Sequence, residues 1–495
     1  MRWIALNLLL PLLLIPAGAA NPPAANPAPN PPPSVAKLLA HSFRRPRKNG
    51  WVFVHLQGSP RQLGFQNGYW LAGEIQKALA AERVSMARDA GRSWGWLRRA
   101  AMRVFWPHIE RQYRQELRGI VAGLRARGVH ASLPDVVALN SFQELPDYYV
   151  PWYDAHHPAR RTADGAPGAT NLPGRTPHFR VGAKCSAFVA TGSYTQGGQV
   201  VMGHNNWGAY NHGEYWNIIY DIVPNHGLRI LMDGFPGVIT SDDDFGINSA
   251  GLMVTETTIS QFKGFNPNGI PEFVRSRKAL QYAHNIRQWT AIMLKGNNGG
   301  YANDWLLGNR KTGEIARVEL GLRRHEIWRT RDGMYVGANF PSDPAVIRDE
   351  TTGFNPNNPD SSPNARHRRW EQLKREYKGR IDIAIAEKME ADDYDVVEHK
   401  IDPDQHTLCG HVDRAPRGVK IWGWGPYYPG GTVSAKVTDS RLAAKMELIG
   451  AMGHPDGIGF NARAFLRAHP QYDWQKPFLQ NLPSEPWTRF QAAGH

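Results

Sequence analysis

The stretch that most constrains this chain of 495 residues places a cysteine at the start of a strand-like run. Cys185 is one of only two cysteines and opens the strand-like run over 185–189. A second strand-like run ends in polar residues at His204, nineteen positions further on. The pair Gly197-Gly198 between the two runs is typical of a turn. The pattern predicts two successive strands, with a thiol at the start of one and an imidazole at the end of the other.

Apolar periodicity divides the chain into a helical first part and a mixed second part. Helix-like spacing runs over 61–127 and again over 133–145. Residues 155–184 are rich in Pro, Gly and basic residues and predict a linker. The predicted strands that follow are 186–191, 199–204, 216–223, 229–235, 252–258, 305–309, 315–320, 325–329 and 334–338. We also expect helices over 271–294 and, exposed, over 364–390, and irregular structure in the last hundred residues.

The N-terminus predicts export. Arg2 precedes a short apolar run, and small residues over 17–19 complete a secretory signal peptide at 1–19. The run is shorter than the roughly 20 residues that a membrane span needs. We therefore expect a secreted or periplasmic protein with a Pro-rich tether at 20–49 and a helical N-terminal chain at 50–154. A linker at 155–184 and a catalytic chain at 185–495 complete the predicted organisation.

The formal net charge of +14 bears on the partners that the chain can meet. A basic exported protein can contact an anionic membrane surface peripherally, or can simply spread its charge over solvated helix faces. The sequence contains no nucleic-acid-binding motif and no repeat, so we expect no nucleic-acid partner.

Several segments resemble the phospholipase B-like family, and they run in the family's order from about 185 to 440. Besides the Cys185 and His204 segments, they are 252–259 with its Glu-Thr-Thr core, 298–305, and 428–438 with its Gly-Gly and Lys-Val-Thr elements. The resemblance implies an α+β fold, a four-layer α/β/β/α sandwich of the N-terminal-nucleophile (Ntn) hydrolases. It also implies self-cleavage between Lys184 and Cys185, as in related self-processing acyltransferases and amidases.

Cys185 is the nucleophile in this interpretation. Its thiol attacks the carbonyl carbon of Lys184, and water then releases the upstream chain. The new α-amino group, with an ordinary pKa near 8, takes the thiol proton in later turnovers. The alternative is a buried, inert cysteine on a strand.

The resemblance assigns roles to further residues as well. Asn303 is the oxyanion-hole candidate, and His204 orients or polarises the nucleophile. The alternatives are a turn-capping asparagine and a strand-end histidine. The candidates for substrate binding are Asn206, Trp207 and Thr257, and alternation along the strand puts Thr257 and Thr258 on opposite faces.

No cofactor is expected. His406, Cys409 and His411 lie close together in sequence, but a closed zinc site needs four ligands and no fourth stands nearby. The acidic run over 242–244 lacks the spaced ligands of a calcium loop and predicts a solvated turn.

The sequence therefore predicts a self-cleaving acyl hydrolase, a phospholipase B-like enzyme acting on lipid esters. An amidase or acyltransferase acting on N-acyl small molecules or peptides is an alternative within the enzymes. A non-catalytic lipid-binding protein that keeps the fold, or a basic polymer-binding protein, is the alternative outside them. We expect a substrate with an acyl chain and processed fragments that stay associated.

Overall fold

The computed structural model describes residues 33–158, 184–242 and 245–494. The predicted signal peptide, much of the tether, most of the linker and two of the three aspartates over 242–244 lie outside the described residues. Before the linker the elements are α1 (Pro33–Leu39), β1 (Phe43–Arg44), β2 (Val52–Gly58), α2 (Pro60–Trp70), α3 (Ala72–Ala90), α4 (Trp94–Val104), α5 (Arg111–Ala126), α6 (Leu133–Leu139) and α7 (Val150–His156). A π-helical turn over Leu145–Tyr149 leads directly into α7.

The part of the chain from residue 184 onward contains both strands and helices. Its elements are β3 (Lys184–Gly192), β4 (Gly198–Ala209), α8 (Tyr210–Gly213), β5 (Ile218–Pro224), β6 (Ile230–Gly234), β7 (Gly246–Asn248), β8 (Leu252–Thr258), α9 (Glu272–Tyr282), α10 (Ile286–Leu294), β9 (Asn303–Asn309), β10 (Glu314–Leu320), β11 (His325–Thr330), β12 (Gly333–Gly337), α11 (Pro344–Glu350), α12 (Ser362–Glu376), α13 (Ile383–Glu390), β13 (Tyr394–Asp395), β14 (Lys400–Ile401), β15 (Gly430–Asp439), α14 (Ser440–Ala444), β16 (Glu447–Met452), α15 (Ala462–Ala468) and β17 (Thr488–Gln491).

Two large sheets, and a separate two-stranded pair of β13 and β14, make up the β-structure of this α+β fold in the described residues. The first has nine strands in the order β1-β2-β5-β6-β7-β8-β9-β10-β11, and the second has six in the order β12-β3-β4-β15-β16-β17. Strand β2 pairs in parallel with β5 along seven residues, whereas the other pairs are antiparallel. The helical N-terminal part therefore contributes two strands, β1 and β2, to the same sheet as strands that follow residue 184.

The two sheets contact each other through buried side chains. Lys436 on β15 forms an ion pair of 2.9 Å with Asp233 on β6, and both side chains are fully buried. A Cβ added to Gly308 on β9 would lie 2.7 Å from Val200 of β4. Trp305 of β9 packs on Trp289 of α10 with ring centroids 5.0 Å apart, so this helix covers the nine-stranded sheet.

Helices α12 and α13 cover the six-stranded sheet. Phe188 of β3 packs on Trp370 of α12, with ring centroids 5.5 Å apart, in a second apolar cluster that also contains Met389 of α13. The expectation of an exposed helix over 364–390 is wrong in two respects. The segment forms two helices, because Asp382 caps a new helix by accepting from the backbone N–H of Ile385. One face of α12 is also buried against the sheet.

Other predicted elements need smaller corrections. The predicted strand over 252–258 coincides with β8. The single helix predicted over 271–294 divides into α9 and α10, because Asn285 caps the second helix through the N–H of Gln288. The last hundred residues are not irregular, since they contain β15, which is buried along its whole length although polar residues alternate along it with Val433, Ala435 and Val437.

In the part of the chain that the structure describes, no helix combines the length and apolar character required to traverse a bilayer.

Candidate functional site

Cys185 lies at the start of β3, opposite Asn206 on β4. Its side chain is fully buried, and its Sγ lies 3.6 Å from Oε1 of Glu256 on β8 in the other sheet. The hydroxyl of Tyr301 donates to the same carboxylate oxygen at 2.9 Å. The thiol of the intact chain therefore faces a carboxylate that can accept its proton.

His204 joins this pair from β4, where it stands opposite Ala187. Three side chains that could each offer a ligand atom have those atoms within 4.8 Å of one another: Cys185, His204 and Glu256. All three residues are buried. The His204 ring stacks on Phe245 with centroids 6.4 Å apart. The structure thus brings the predicted nucleophile and the predicted histidine together. The same three donor types could also ligate a transition metal, since catalytic zinc sites use three protein ligands.

Two residues that sequence reasoning missed hold the backbone of Cys185. The backbone N–H of Cys185 donates to Oδ1 of Asn339 at 3.1 Å, and Nδ2 of Asn339 donates to the carbonyl oxygen of Thr258 at 2.9 Å. The guanidinium of Arg366 donates to the carbonyl oxygen of Cys185 at 2.5 Å and to Asn339 Oδ1 at 2.9 Å. Asn339 has a left-handed φ of 58°, which asparagine tolerates better than most residues. Both backbone polar groups of Cys185 are therefore fixed by side chains.

The electrostatics of Arg366 are unusual for a fully buried cation. Among the described residues no carboxylate pairs with it; instead its guanidinium lies 4.3 Å from the ring centroid of Trp207 and 5.3 Å from that of Trp422. Burial lowers its pKa to about 9, and the charge of Cys185 acts in the opposite direction. An unbalanced buried cation costs free energy unless nearby negative charge offsets it. Negative charge that develops at Cys185 during a reaction would therefore be stabilised.

Three predicted residues carry buried polar atoms without hydrogen-bond partners among the described residues. They are Asn206, Thr257 and Asn303, and all are fully buried. Asn206 stands directly across from Cys185. Thr257 presses against Gly337 of the other sheet, where an added Cβ would lie 2.6 Å from Thr257 Oγ1. Each unsatisfied group costs about 1–3 kcal/mol, and such groups are candidates for contact with a ligand.

Asn303 is the first residue of β9 and pairs with Thr258 on β8. Thr258 is also the residue whose carbonyl oxygen accepts from Asn339. Its side-chain amide makes no hydrogen bond within the described part of the chain, including to Cys185. The structure therefore places Asn303 beside the Asn339 contact, and its amide is unsatisfied within the described residues.

Trp207 supports Arg366 in the intact chain. Its indole N–H donates to the carbonyl oxygen of Leu408 at 3.2 Å, and its ring is so close to Gly410 that an added Cβ would lie 2.0 Å away. The nearby aromatic residues Tyr210 and Trp216 belong to the core: the Tyr210 hydroxyl contacts Asp413, and Trp216 packs on Phe142.

A spacing signal could have identified Arg366. One face of α12 and its C-terminal end carries four buried residues at helical intervals: Arg366, Trp370, Leu373 and Tyr377. Glu256 stands inside the Glu-Thr-Thr segment, where the sequence favoured Thr257. Asn339 follows the predicted strand over 334–338, and no local pattern distinguishes it from a turn residue.

Comparison with known proteins extends over part of the chain. Residues 79–321 match the family model described as Phospholipase B, a region that includes Cys185, His204 and Glu256 and ends before Asn339 and Arg366. Phospholipase B-like protein F of Dictyostelium discoideum is 33% identical over 143 residues, which cover 27% of this chain and 25% of that protein. Phospholipase B-like 2 of Homo sapiens is 30% identical over 162 residues, covering 29% of this chain and 27% of that protein. The matched segments thus span about a quarter of the length of these relatives.

Proposed function

The chain belongs to the phospholipase B-like family, and from this premise we propose that it is a self-cleaving acyl hydrolase with Cys185 as its nucleophile. The observation that carries the proposal is the surrounding of Cys185. Its Sγ faces Glu256 at 3.6 Å, and its backbone groups are held by Asn339 and Arg366. We also propose that the fold is a four-layer Ntn sandwich. The support is that the two large sheets contact each other and that helices cover each of them.

Self-cleavage is the first reaction. The nitrogen of Cys185 is still an amide in the intact chain, so it cannot act as a base. Glu256 takes the thiol proton, and Sγ attacks the carbonyl carbon of Lys184. The C–N bond breaks, the nitrogen of Cys185 gains a proton, and a thioester remains. Water hydrolyses this thioester, which leaves a carboxylate on Lys184 and a free thiol on Cys185.

The cleaved chain then has an α-amine where the amide was. Asn339 Oδ1 already accepts from this nitrogen, so the amine is held beside Sγ and can serve as the base for substrate turnover. The amide of Asn303 is proposed as a donor to the oxyanion of the tetrahedral intermediate. Arg366 acts as a positioning residue through the carbonyl of Cys185.

Cleavage also has to open the site, because Cys185 is fully buried and Lys184 is only 5% exposed. Lys184 stands opposite Trp207 within the β3–β4 pairing. Withdrawal of Lys184 after cleavage would open the site from this side. The two fragments would stay associated, because β2 and β5 pair along seven residues on opposite sides of the cleavage point.

We propose lipid esters as the substrates, on the strength of the names of the relatives. The second candidate is an N-acyl amide, and the self-cleavage step favours it because the bond broken there is itself an amide.

We also propose that the protein is secreted or periplasmic, with the N-terminal signal pattern as the support, and that its basic surface contacts anionic membranes peripherally.

Matched ester and amide substrates test the proposal. One head group is given acetyl, octanoyl and palmitoyl chains in both linkages, and rates are measured below the micelle concentration with Cys185→Ala as the control. Each buried methylene should add about 0.8 kcal/mol, so the rate should rise with chain length. Faster esters support lipid hydrolysis, and faster amides support the second candidate. Binding of the lipids without turnover of any substrate would contradict both.

A further inference from the structure

The second cysteine lies in a cluster that the proposed reaction does not use. Ligating atoms of Asp393, Cys409, His411 and Asp456 lie within 4.8 Å of one another. We propose that these four residues form a metal site that takes a zinc ion. The sequence supplied no fourth ligand near Cys409, because Asp393 and Asp456 come from distant loops that the fold brings together.

The distances suit a compact site. Sγ of Cys409 lies 3.9 Å from Nε2 of His411, and that nitrogen lies 2.7 Å from Oδ2 of Asp456. Ligands around a tetrahedral zinc ion with bonds of 2.0–2.3 Å are about 3.5 Å apart. The cluster therefore needs a shift of Asp456 by less than about 1 Å to surround an ion.

Burial and an unsatisfied oxygen point to a ligand at this position. Cys409 is fully buried, and the side chains of His411 and Asp456 are 1% and 2% exposed. Asp393 is half-buried at the rim, its Oδ1 is inaccessible and accepts from no N–H or hydroxyl group among the described residues, and its carboxylate lies against that of Asp456. A buried carboxylate oxygen without a donor is costly, and a cation bound beside it would remove that cost.

The ligand set selects the metal. One thiolate, one imidazole and two carboxylates combine soft and hard donors, which suits zinc better than magnesium or calcium. Four protein ligands leave no open position, so the site is structural rather than catalytic.

Further residues hold the ligands in place. Asp456 Oδ1 accepts from the N–H of Ile458 at 2.7 Å, which leaves Oδ2 directed at His411. Nδ1 of His411 lies 4.0 Å from Asp413, whose carboxylate accepts from the Tyr210 hydroxyl. Partners of this kind orient ligands in known metal sites.

His406, which the sequence grouped with Cys409 and His411, has a different role. Its Nδ1 lies 3.1 Å from Asp395, and its Nε2 lies 3.1 Å from the carbonyl oxygen of Asp360. Both ring nitrogens are therefore engaged outside the proposed metal site.

The metal site would hold the loop over 408–411 against Asn205 and Trp207 of β4, and Trp207 in turn contacts Arg366. The carbonyl oxygen of Leu408 accepts from Nδ2 of Asn205 at 3.0 Å and from the indole of Trp207 at 3.2 Å. Gly410, between two of the ligands, presses against the same indole. Because Trp207 stacks on Arg366, loss of the metal should loosen the support of Arg366 as well as the loop.

The test uses the full-length protein and metal itself. The wild-type protein, purified without chelator, should contain about one zinc ion per chain by elemental analysis. Replacement by Co²⁺ should give the visible bands of tetrahedral cobalt and a thiolate-to-cobalt charge-transfer band. Cys409→Ser should lose the charge-transfer band, and Asp393→Asn, at the rim, should bind the metal more weakly while it folds normally.

Cys185→Ala is the matched control, since it removes the other buried thiol. It should retain the zinc and the charge-transfer band. Metal that is lost from Cys185→Ala and kept by Cys409→Ser would overturn the proposal in favour of the Cys185 cluster. A wild-type protein that binds neither zinc nor Co²⁺ would also overturn it, and would leave Asp393 and Asp456 sharing a proton.

Discussion

Arg366 donates a hydrogen bond of 2.5 Å to the carbonyl oxygen of Cys185, although 181 positions separate the two residues in sequence. The same guanidinium contacts Oδ1 of Asn339, which accepts from the N–H of Cys185. A buried cation and an amide thus hold the residue that we propose as the nucleophile. The contact explains why a charged residue occupies the buried face of α12.

Arg366→Met should abolish this positioning and keep most of the bulk of the side chain. We expect self-cleavage and substrate turnover to fall by roughly a hundredfold, with kcat more affected than KM. The free energy of unfolding should fall by about 1–3 kcal/mol for each buried acceptor that loses its donor, namely the carbonyl oxygen of Cys185 and Oδ1 of Asn339. Arg368→Met on the same helix is the control. Turnover at the wild-type rate in a folded Arg366→Met protein would remove Arg366 from the mechanism.

Glu256→Gln should slow self-cleavage, because the amide cannot accept the thiol proton. The measurement is the rate at which purified intact chain converts to two fragments, followed by mass spectrometry. A reduction of about a hundredfold or more is expected for the loss of a general base. Tyr301→Phe, which removes only the hydroxyl donor to Glu256, should have a smaller effect. Equal cleavage rates in Glu256→Gln and wild type would assign the proton to another group, with His204 as the nearest candidate.

Asn303→Ala should lower the chemical rate of substrate turnover by roughly a hundredfold if its amide stabilises the oxyanion. Asn309→Ala, at the other end of β9, is the matched control and should retain the rate. Single-turnover kinetics on both variants separate the chemical step from substrate binding. Identical rates in the two variants would leave Asn303 as a structural residue.

Glu144 predicts a pH dependence of stability. Burial raises its pKa from 4.5 to about 7, although Asn298 and the N–H of Glu272 donate to it. The folded chain keeps this proton up to about pH 7, whereas the unfolded chain releases it near pH 4.5. The contribution to stability is therefore full below pH 4.5 and is lost as the pH rises through 7. The shift in the pKa of Glu144 corresponds to a change in the free energy of unfolding on the order of 3 kcal/mol.

Urea unfolding of wild type and Glu144→Gln between pH 4.5 and 8 measures this contribution. The free energy of unfolding of the wild type should fall more steeply with pH than that of the variant, which has no proton to lose at this position. Parallel pH profiles for the two proteins would contradict the assignment.

The strands could be predicted from sequence more fully than the site. Strand β8 shows a run of β-branched and apolar residues with a glycine before it, so its position follows from local pattern. Arg366 and Asn339 could not be assigned to Cys185, because the contacts form between elements far apart in sequence and depend on how the sheets and α12 pack. The same holds for the metal ligands, since Cys409 and His411 are neighbours but Asp393 and Asp456 are not.

The identity of the N-terminal residues of the purified, mature protein tests the central claim most directly. Intact mass and N-terminal sequencing of the full-length gene product should reveal a fragment that begins at Cys185 and ends at His495. Cys185→Ala should yield the uncut chain without turnover. A single, uncut wild-type chain with full acyl hydrolase activity would contradict the account.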